Sequence, residues 1–215
     1  MIDLKISYSI EFEVERISET LRRLNWFKAK GYNVLFPSSL LTSNSMNISE
    51  EKIKNSVIAE YVESDYKIQK DYLLTNWNDV ATQLSEGLSN IMFVPMNHYN
   101  IFLSKYGVAG SYHYPDEIIV NIKFKYEKGL LRTTAHEIIH LIIQPLIEKY
   151  KINHWSKERV VDLLMLKLLP QLSKPQQLPI NTEQIDNIFN KMYPDVEAVI
   201  KDIGKLGEVT KNQDN

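Results

Sequence analysis

The sequence of 215 residues contains no cysteine. Without cysteine the fold has no disulfide bond, and a thiol-dependent hydrolase is excluded because its nucleophile is missing. No apolar run reaches the 18 residues of a transmembrane helix, and the first five residues lack the basic and apolar regions of a signal peptide. We therefore expect a cytoplasmic protein that does not bind membranes. A secreted protein whose leader has been removed would have the same sequence and is the alternative.

An excess of basic residues is also missing, since 25 lysine and arginine residues stand against 27 aspartate and glutamate residues. With a net charge of −2 and no basic run, we expect no nucleic-acid partner. The chain also lacks the G-x-S-x-G, G-x-x-x-x-G-K-[ST] and G-x-G-x-x-G motifs. Serine hydrolases, P-loop nucleotidases and dinucleotide-binding dehydrogenases are therefore unsupported.

Two of the five histidines are four residues apart, in the segment His136-Glu137-Ile138-Ile139-His140. This segment lies inside residues 130–144, whose composition predicts a helix. Residues four apart share one face of a helix, so His136 and His140 can present two imidazoles to one metal ion while Glu137 reaches the same site. The spacing H-E-x-x-H is that of a zinc hydrolase. The alternative is a buried helix whose two histidines serve packing alone.

A third metal ligand is predicted at Glu158, because a catalytic zinc ion takes three protein ligands and leaves one position for water. Glu158 follows His140 by 18 positions and lies in a predicted helix that begins at Ser156. Asp162 comes one turn later on the same face, where a carboxylate can accept the ring N–H of a ligating histidine and orient the ring. On its own, the E-x-x-x-D pair also fits a solvated acidic helix face.

The H-E-x-x-H motif at 136–140, together with the E-x-x-x-D pair at 158–162, resembles the gluzincins, the thermolysin-like branch of the zincin metallopeptidases. The metzincin branch extends the motif to H-E-x-x-H-x-x-G-x-x-H, and this chain has Ile143 and Leu146 in place of the glycine and the third histidine. The resemblance covers about residues 107–169, under a third of the chain.

The resemblance implies a zincin-like α+β fold, in which a small mixed sheet packs on a backing helix and on the metal-binding helix, followed by a mostly helical C-terminal lobe. It implies one catalytic domain over residues 1–204, with an N-terminal lobe (1–144), a C-terminal lobe (145–204) and a cleft between them. Residues 205–215 are polar and contain glycine, which predicts a flexible tail. One zinc ion per chain and a peptide or protein substrate are the implied cofactor and partner.

The resemblance also implies catalytic roles. Zinc lowers the pKa of its bound water toward ~7, Glu137 acts as general base, and the proton then passes to the leaving amine. Gluzincins place a phenolic or imidazole donor at the oxyanion, and the residues of that chemistry between His140 and Glu158 are Tyr150 and His154. We prefer His154, because it lies closer to the helix of Glu158. Surface positions for both residues are the alternative.

Two strands joined by a tight turn are predicted at residues 106–114 and 117–124. The first is poor in bulky residues and contains glycine, as expected of an edge strand. In zincins the strand at this place pairs with an extended substrate through main-chain hydrogen bonds. The residues that the resemblance assigns to substrate binding are Gly110, Ser111 and Tyr112. An ordinary hairpin arm is the alternative, and His113 reads as a surface or hairpin residue.

The remaining elements are predicted from periodicity. Apolar residues alternate with polar ones over 2–14, which predicts a strand. Short strands are also predicted at 32–36 and 91–94, and helices at 16–30, 50–90, 182–192 and 195–203. The helical stretch 50–90 is expected to break near Lys70 or Thr75. Pro145 lacks a backbone N–H, so the metal-binding helix is expected to end or kink near Gln144.

Two other functions fit the same residues. A zincin fold that binds a metal or a partner without hydrolysis accounts for the ligands, although ligation alone does not require Glu137. A zinc amidohydrolase that acts on a non-peptide amide would use the same groups. A pocket closed at one end favours the amidohydrolase, whereas an open groove beside residues 110–112 favours a peptidase.

Overall fold

The computed structural model describes residues 2–41, 48–124 and 128–211. Within these ranges the chain combines α-helices with one small β-sheet, which confirms the mixed α and β character of the expected fold. In chain order the elements are β1 (Asp3–Ser7), α1 (Ile10–Arg22), α2 (Leu24–Ala29), α3 (Ser38–Leu41), α4 (Glu50–Glu60), α5 (Glu63–Asn90), β2 (His98–Ser104), β3 (Gly110–His113), β4 (Glu117–Asn121), α6 (Gly129–Lys149), α7 (His154–Leu168), α8 (Glu183–Met192) and α9 (Val196–Lys211).

The chain forms two compact units that do not follow the order of the sequence. The first, here called the sheet unit, contains Asp3–Trp77 and His98–Thr134. The second, here called the helical unit, contains Met1–Ile2, Asn78–Asn97 and Ala135–Asn215. The histidines of the H-E-x-x-H motif and Glu158 therefore belong to one unit, whereas the sequence-based lobes separate them at residue 144.

The sheet unit contains a four-stranded mixed sheet with the strand order β1-β2-β4-β3. Strands β1, β2 and β4 are parallel to one another, and β3 runs antiparallel to β4. The predicted hairpin is confirmed, and so is the position of its first arm at the edge of the sheet. Helix α1 packs against β2, where the rings of Phe12 and Phe102 stack with centroids 4.6 Å apart. Helix α1 therefore backs the sheet.

The predicted strand over residues 2–14 is wrong beyond Ser7, because the chain enters α1 at Ile10. The side-chain oxygen of Ser9 accepts a hydrogen bond of 3.1 Å from the backbone N–H of Phe12 and caps the first turn. Val14 and Ile17, three residues apart, are both buried in one apolar cluster. The alternation over this stretch fits a strand, but the serine cap and the helical spacing favour the helix.

Strand β2 is missing from the prediction, although its buried residues alternate. Tyr99, Ile101 and Leu103 are each at most 1% exposed and share one face of the strand. The prediction instead places a strand at residues 91–94, where the chain leaves α5 in a turn. The backbone N–H groups of this turn donate to carbonyls in the last turn of α5 instead of to a neighbouring strand.

Two further predictions need correction in the sheet unit. The strand predicted at residues 32–36 is reduced to a single bridge. The helical stretch 50–90 is confirmed, but it is interrupted between α4 and α5, well before the predicted break near Lys70 or Thr75. Leu73 is fully buried at the predicted break, and tertiary packing of this kind holds a helix together where local sequence does not.

Glu13 carries a carboxylate that is fully buried in the sheet unit. One oxygen, Oε1, accepts hydrogen bonds from the hydroxyl of Tyr66 and from the backbone N–H of Lys105, the latter at 2.7 Å. The other oxygen, Oε2, accepts from the hydroxyl of Ser104 at 2.5 Å. Burial raises the pKa of Glu13, while the three donors stabilise its charged form. The carboxylate therefore connects α1, α5 and the end of β2.

Helix α6 carries the H-E-x-x-H motif and continues through Pro145 to Lys149, so it does not end near Gln144. The alternative that was expected there, a kink, stays a prediction. A proline inside a helix costs about 3 kcal/mol, because it removes one backbone hydrogen bond and crowds the preceding turn. Ile143 and Ile147, on either side of the proline, are 1% and 6% exposed. Burial of two isoleucine side chains contributes roughly 3 to 6 kcal/mol and offsets this cost.

Helix α6 ends just before Lys151, whose φ of +51° lies in the left-handed region. The backbone N–H of Ile152 donates to the carbonyl of Ile147 at 3.0 Å, which satisfies a carbonyl of the last turn. This is the hydrogen bond of a Schellman-type helix end, with lysine at the position that glycine usually occupies. The end of the helix is thus determined by its last turn and not by Pro145.

Helix α7 begins at His154, two residues before the predicted start at Ser156. The N-cap is Asn153, whose side-chain oxygen accepts a hydrogen bond of 3.0 Å from the backbone N–H of Ser156. The correction matters for the site, because it places His154 and Glu158 on the same helix, four residues apart and on one face.

The last helix extends further than predicted. Helix α8 confirms the helix predicted at 182–192, whereas α9 continues past residue 203 to Lys211 and so includes most of the predicted tail. Residues 212–215 lie outside the described ranges. Among the helices described, none combines the length and the apolar character needed to cross a membrane.

Candidate metal centre

The histidines of α6 lie one helical turn apart, and their rings face the same point. The Nε2 atoms of His136 and His140 are 3.0 Å apart, and the ring planes are nearly perpendicular, with centroids 4.6 Å apart. This geometry follows from helical spacing, because residues i and i+4 stack along one face. Both imidazoles therefore present the same ring nitrogen toward one small volume.

Glu158, in the second turn of α7, completes the cluster. Its Oε2 atom lies 3.5 Å from Nε2 of His136 and 3.3 Å from Nε2 of His140. A tetrahedral ion with ligand bonds of about 2.0–2.1 Å holds its ligand atoms about 3.3 Å apart. The three separations of 3.0, 3.3 and 3.5 Å are close to that value. Two imidazoles and one carboxylate also form a donor set that zinc accepts, so the residues fit a zinc ion.

The protonation states of two of the three groups, His140 and Glu158, suit a cation. Burial lowers the pKa of His140 to about 4, which keeps its imidazole neutral near pH 7. Burial disfavours the charged form of Glu158, but the two imidazoles outweigh burial and hold its pKa well below 4.5. A neutral imidazole and an ionised carboxylate are the forms that bind metal ions. Burial also opposes charge on His136, but hydrogen bonding to Glu158 and the charge of Glu137 raise its pKa.

His136 is the most exposed residue of the cluster. The side chains of His140 and Glu158 are 2% and 8% exposed, whereas that of His136 is 16% exposed. A structural metal site is usually closed on every side, while a catalytic site keeps a position open for water or substrate. The exposure at His136 is compatible with an open position there.

Glu137 follows His136 directly on α6, and the residue is buried, at 7% exposure. Its negative charge contributes to the raised pKa of His136. A buried carboxylate beside a metal-ligating imidazole can exchange protons with a group bound at the open position.

His154 and Tyr150, the two predicted oxyanion donors, lie in different surroundings. Nδ1 of His154 is 3.8 Å from Oε1 of Glu158, so this imidazole stands beside the cluster. The hydroxyl of Tyr150 donates a hydrogen bond of 2.8 Å to Glu197 on α9. The structure therefore brings His154 to the cluster, whereas the hydroxyl of Tyr150 is engaged by a surface carboxylate.

Asp162 lies one turn beyond Glu158 on α7 and is 4% exposed. It accepts a hydrogen bond of 2.8 Å from the backbone N–H of Gln176, and its charge adds to the raised pKa of His136. The hydrogen bond from a histidine ring to Asp162 stays a prediction.

Two residues near Glu158 are missing from the sequence-based prediction. Nε2 of Gln176 donates to Oε2 of Glu158 at 3.2 Å, and Nζ of Lys157 lies 3.6 Å from Oε1. Lys157 could have been found as the neighbour of the predicted ligand. Gln176 carries no sequence signal, because a glutamine between prolines belongs to no metal-site motif.

Gly110, Ser111 and Tyr112, the predicted substrate-binding residues, lie on β3 in the sheet unit. They pair with residues of β4 on one side, and β3 is the last strand of the sheet. Their role in substrate binding stays a prediction. The next residue, His113, lies 3.5 Å from Glu19 and 3.7 Å from Glu117, as expected of a residue in surface ion pairs.

Across residues 2–41, 48–124 and 128–211, His136, His140 and Glu158 are the group of three metal-ligating side chains whose donor atoms converge. In comparisons with protein-family models, with curated proteins and with solved structures, nothing matches the chain. The geometry of the cluster is therefore the observation from which function is argued.

Proposed function

We propose that the protein is a zinc-dependent hydrolase of the gluzincin type, with a zincin-like arrangement of the residues around the metal, and that peptides are its substrates. The observation that carries the proposal is the convergence of three donor atoms, Nε2 of His136, Nε2 of His140 and Oε2 of Glu158, at separations of 3.0–3.5 Å. These three residues hold one zinc ion per chain, and the exposed side of His136 is where water or substrate enters.

When bound, zinc supplies Lewis acidity, which lowers the pKa of water and polarises a carbonyl. Glu137 accepts a proton from the attacking water and later donates it to the leaving amine, so one carboxylate serves as base and then as acid. A purely structural site does not need this carboxylate. Its burial beside His136 supports hydrolysis over a catalytically silent metal-binding protein.

His154 donates a hydrogen bond to the substrate oxygen that gains negative charge. Its position beside Glu158 supports this role over Tyr150, whose hydroxyl binds Glu197. A single donor of this kind contributes on the order of 3 kcal/mol to the transition state in other hydrolases. Gly110, Ser111 and Tyr112 bind the extended peptide through the main chain, as a strand added to β3.

The test combines metal analysis with an activity assay. The protein is purified without chelators or affinity metals, and its zinc content is compared with that of His136→Ala, Glu158→Ala and the control His98→Ala. We expect about one zinc per chain in the wild type and the control, and a loss of zinc in the two ligand variants. Equal zinc content in the wild type and Glu158→Ala would refute the ligand assignment.

Activity is measured with a library of internally quenched peptides and, in parallel, with small amides. Glu137→Gln is expected to retain zinc and to lose hydrolysis, because the amide cannot take up the proton. Cleavage of small amides alone would identify an amidohydrolase. Full zinc content without cleavage of either substrate class would identify the silent metal-binding protein.

A further inference from the structure

The chain after α7 returns to the metal centre through a loop that contains three prolines, at 170, 175 and 179. Leu172 is buried and its backbone N–H donates to the carbonyl of Leu169 at 2.9 Å, which fixes the start of this loop. Proline restricts the backbone at the three positions, so the loop loses less conformational entropy when it becomes ordered. The loop thereby holds Gln176 at a defined position beside α7.

Gln176 contacts both acidic residues of α7 through different groups. Its backbone N–H donates to Oδ2 of Asp162 at 2.8 Å, and its side-chain Nε2 donates to Oε2 of Glu158 at 3.2 Å. The same Nε2 lies 3.5 Å from Oδ1 of Asp162. Oε2 of Glu158, which accepts the hydrogen bond from the amide, is also the oxygen that faces both imidazoles. A carboxylate oxygen has two lone pairs, so it can accept from the amide and still bind a cation.

We propose that Gln176 is a positioning residue for the third zinc ligand. Its amide holds the Glu158 carboxylate in the rotamer that directs Oε2 toward His136 and His140, and its backbone N–H fixes Asp162 one turn away. Hydrogen bonds to ligating carboxylates are typical of metal sites, and their loss lowers metal affinity by about 10- to 100-fold. This inference rests on the proposed zinc site.

The position of Gln176 makes the inference testable without damage to the fold. The residue as a whole is exposed, so its replacement removes the amide without opening a cavity. Gln176→Met keeps the length of the side chain and the backbone N–H to Asp162, but it removes the donor to Glu158. Gln177→Met is the matched control, because the neighbouring glutamine is also exposed in the same loop.

The experiment measures three quantities in the wild type, Gln176→Met and Gln177→Met. They are the zinc Kd, from competition with a chromophoric zinc chelator, the Tm of the zinc-free protein, and the visible spectrum of the protein loaded with cobalt(II). For Gln176→Met we expect a zinc Kd raised about 10-fold or more, an altered cobalt spectrum, and a zinc-free Tm equal to that of the control.

Each other outcome overturns the inference. A wild-type Kd and cobalt spectrum in Gln176→Met would show that Glu158 is positioned without the amide, while the proposed zinc site stands. If Gln176→Met has both a raised zinc Kd and a zinc-free Tm below that of the control, Gln176 stabilises the fold and does not act on the zinc ligand specifically. If the wild type and the control bind no zinc, the proposed function fails and the inference fails with it.

Discussion

Glu13 and Glu158 are both buried carboxylates, at 0% and 6% exposure, but the atoms around them differ. Glu13 receives hydrogen bonds from a phenol, an alcohol and a backbone N–H of the sheet unit. Oε2 of Glu158 accepts one hydrogen bond, from the amide of Gln176, and also faces two imidazole Nε2 atoms. A neutral imidazole has one nitrogen that donates and one that accepts, so these neighbours are not permanent donors. The hydrogen bonds to Glu13 therefore come entirely from the chain. At the Glu158 site, one bound cation would form bonds to Glu158 and to both imidazoles.

The comparison shows that burial alone does not separate a structural carboxylate from a functional one. Burial is the largest influence on the pKa of both groups, and it raises the pKa of Glu13. For Glu158 the two imidazoles outweigh burial and lower the pKa. The type of neighbouring atom, donor or metal ligand, is therefore the more informative feature. The same substitution at both positions can separate the two roles.

Glu158→Met should abolish most of the stability that zinc adds. For the wild type, free zinc at roughly 1,000 times its Kd raises the free energy of unfolding by about 4 kcal/mol. Loss of one of three ligands raises the Kd by roughly 100-fold or more, so the gain falls below about 1.5 kcal/mol. Urea unfolding at fixed free zinc measures the difference. A variant that keeps the full gain would contradict the assignment of Glu158.

Glu13→Met should have the opposite pattern, with a loss of stability that zinc does not affect. The substitution leaves the hydroxyl of Tyr66 and the backbone N–H of Lys105 without their buried acceptor. We expect the free energy of unfolding to fall by about 3 kcal/mol, with the zinc-dependent gain unchanged. Urea unfolding with and without zinc provides both values. A change below about 1 kcal/mol would show that these donors find other partners.

A smaller and pH-dependent effect is expected at His113 on the surface of the sheet unit. The hydrogen bond to His113 lowers the pKa of Glu19 to about 2, and the same bond raises the pKa of His113. Stability from Glu19 is complete above pH 4.5 and is lost as the pH falls toward 2. Stability from His113 is complete below pH 6.5 and is lost as the pH rises through its elevated pKa.

His113→Gln should therefore lower the free energy of unfolding most between about pH 4.5 and 6.5. Because His113 is 45% exposed, we expect no more than about 1 kcal/mol. Urea unfolding across this pH range measures the effect, and the variant is repeated in a Glu19→Gln background. A pH-dependent effect of equal size in that background would exclude the ion pair as its source.

The cluster could be predicted from the sequence to the extent that it follows from helical periodicity. His136 and His140 share a face because they are four residues apart, and Glu158 lies near them because a second helix follows after a short connection. Gln176 could not be predicted, since its two hydrogen bonds depend on the path of a loop and not on any local pattern.

The fold was harder to predict where local and tertiary effects compete. The hairpin of β3 and β4 follows from its turn and composition. Pro145 indicates a helix end that does not occur, because burial of the neighbouring isoleucines outweighs the missing backbone hydrogen bond. The alternation in 2–14 misleads in the same way, because the cap at Ser9 begins a helix inside it. Long-range pairing, as between β1 and β2, leaves no mark on either segment alone.

The candidate ligands come from two consecutive helices, with His136 and Glu158 only 22 positions apart. By contrast, β1 and β2 pair residues as distant as Asp3 and His98. The entropy lost in closing a loop grows with its length, so the ligands meet at a lower entropic cost than the strands. In terms of folding kinetics, the candidate metal centre rests on contacts of low sequence separation and the sheet on contacts of high separation. A cation bound at the candidate centre would therefore act as a cross-link between α6 and α7 that closes a far shorter loop than the pairing of β1 with β2 does.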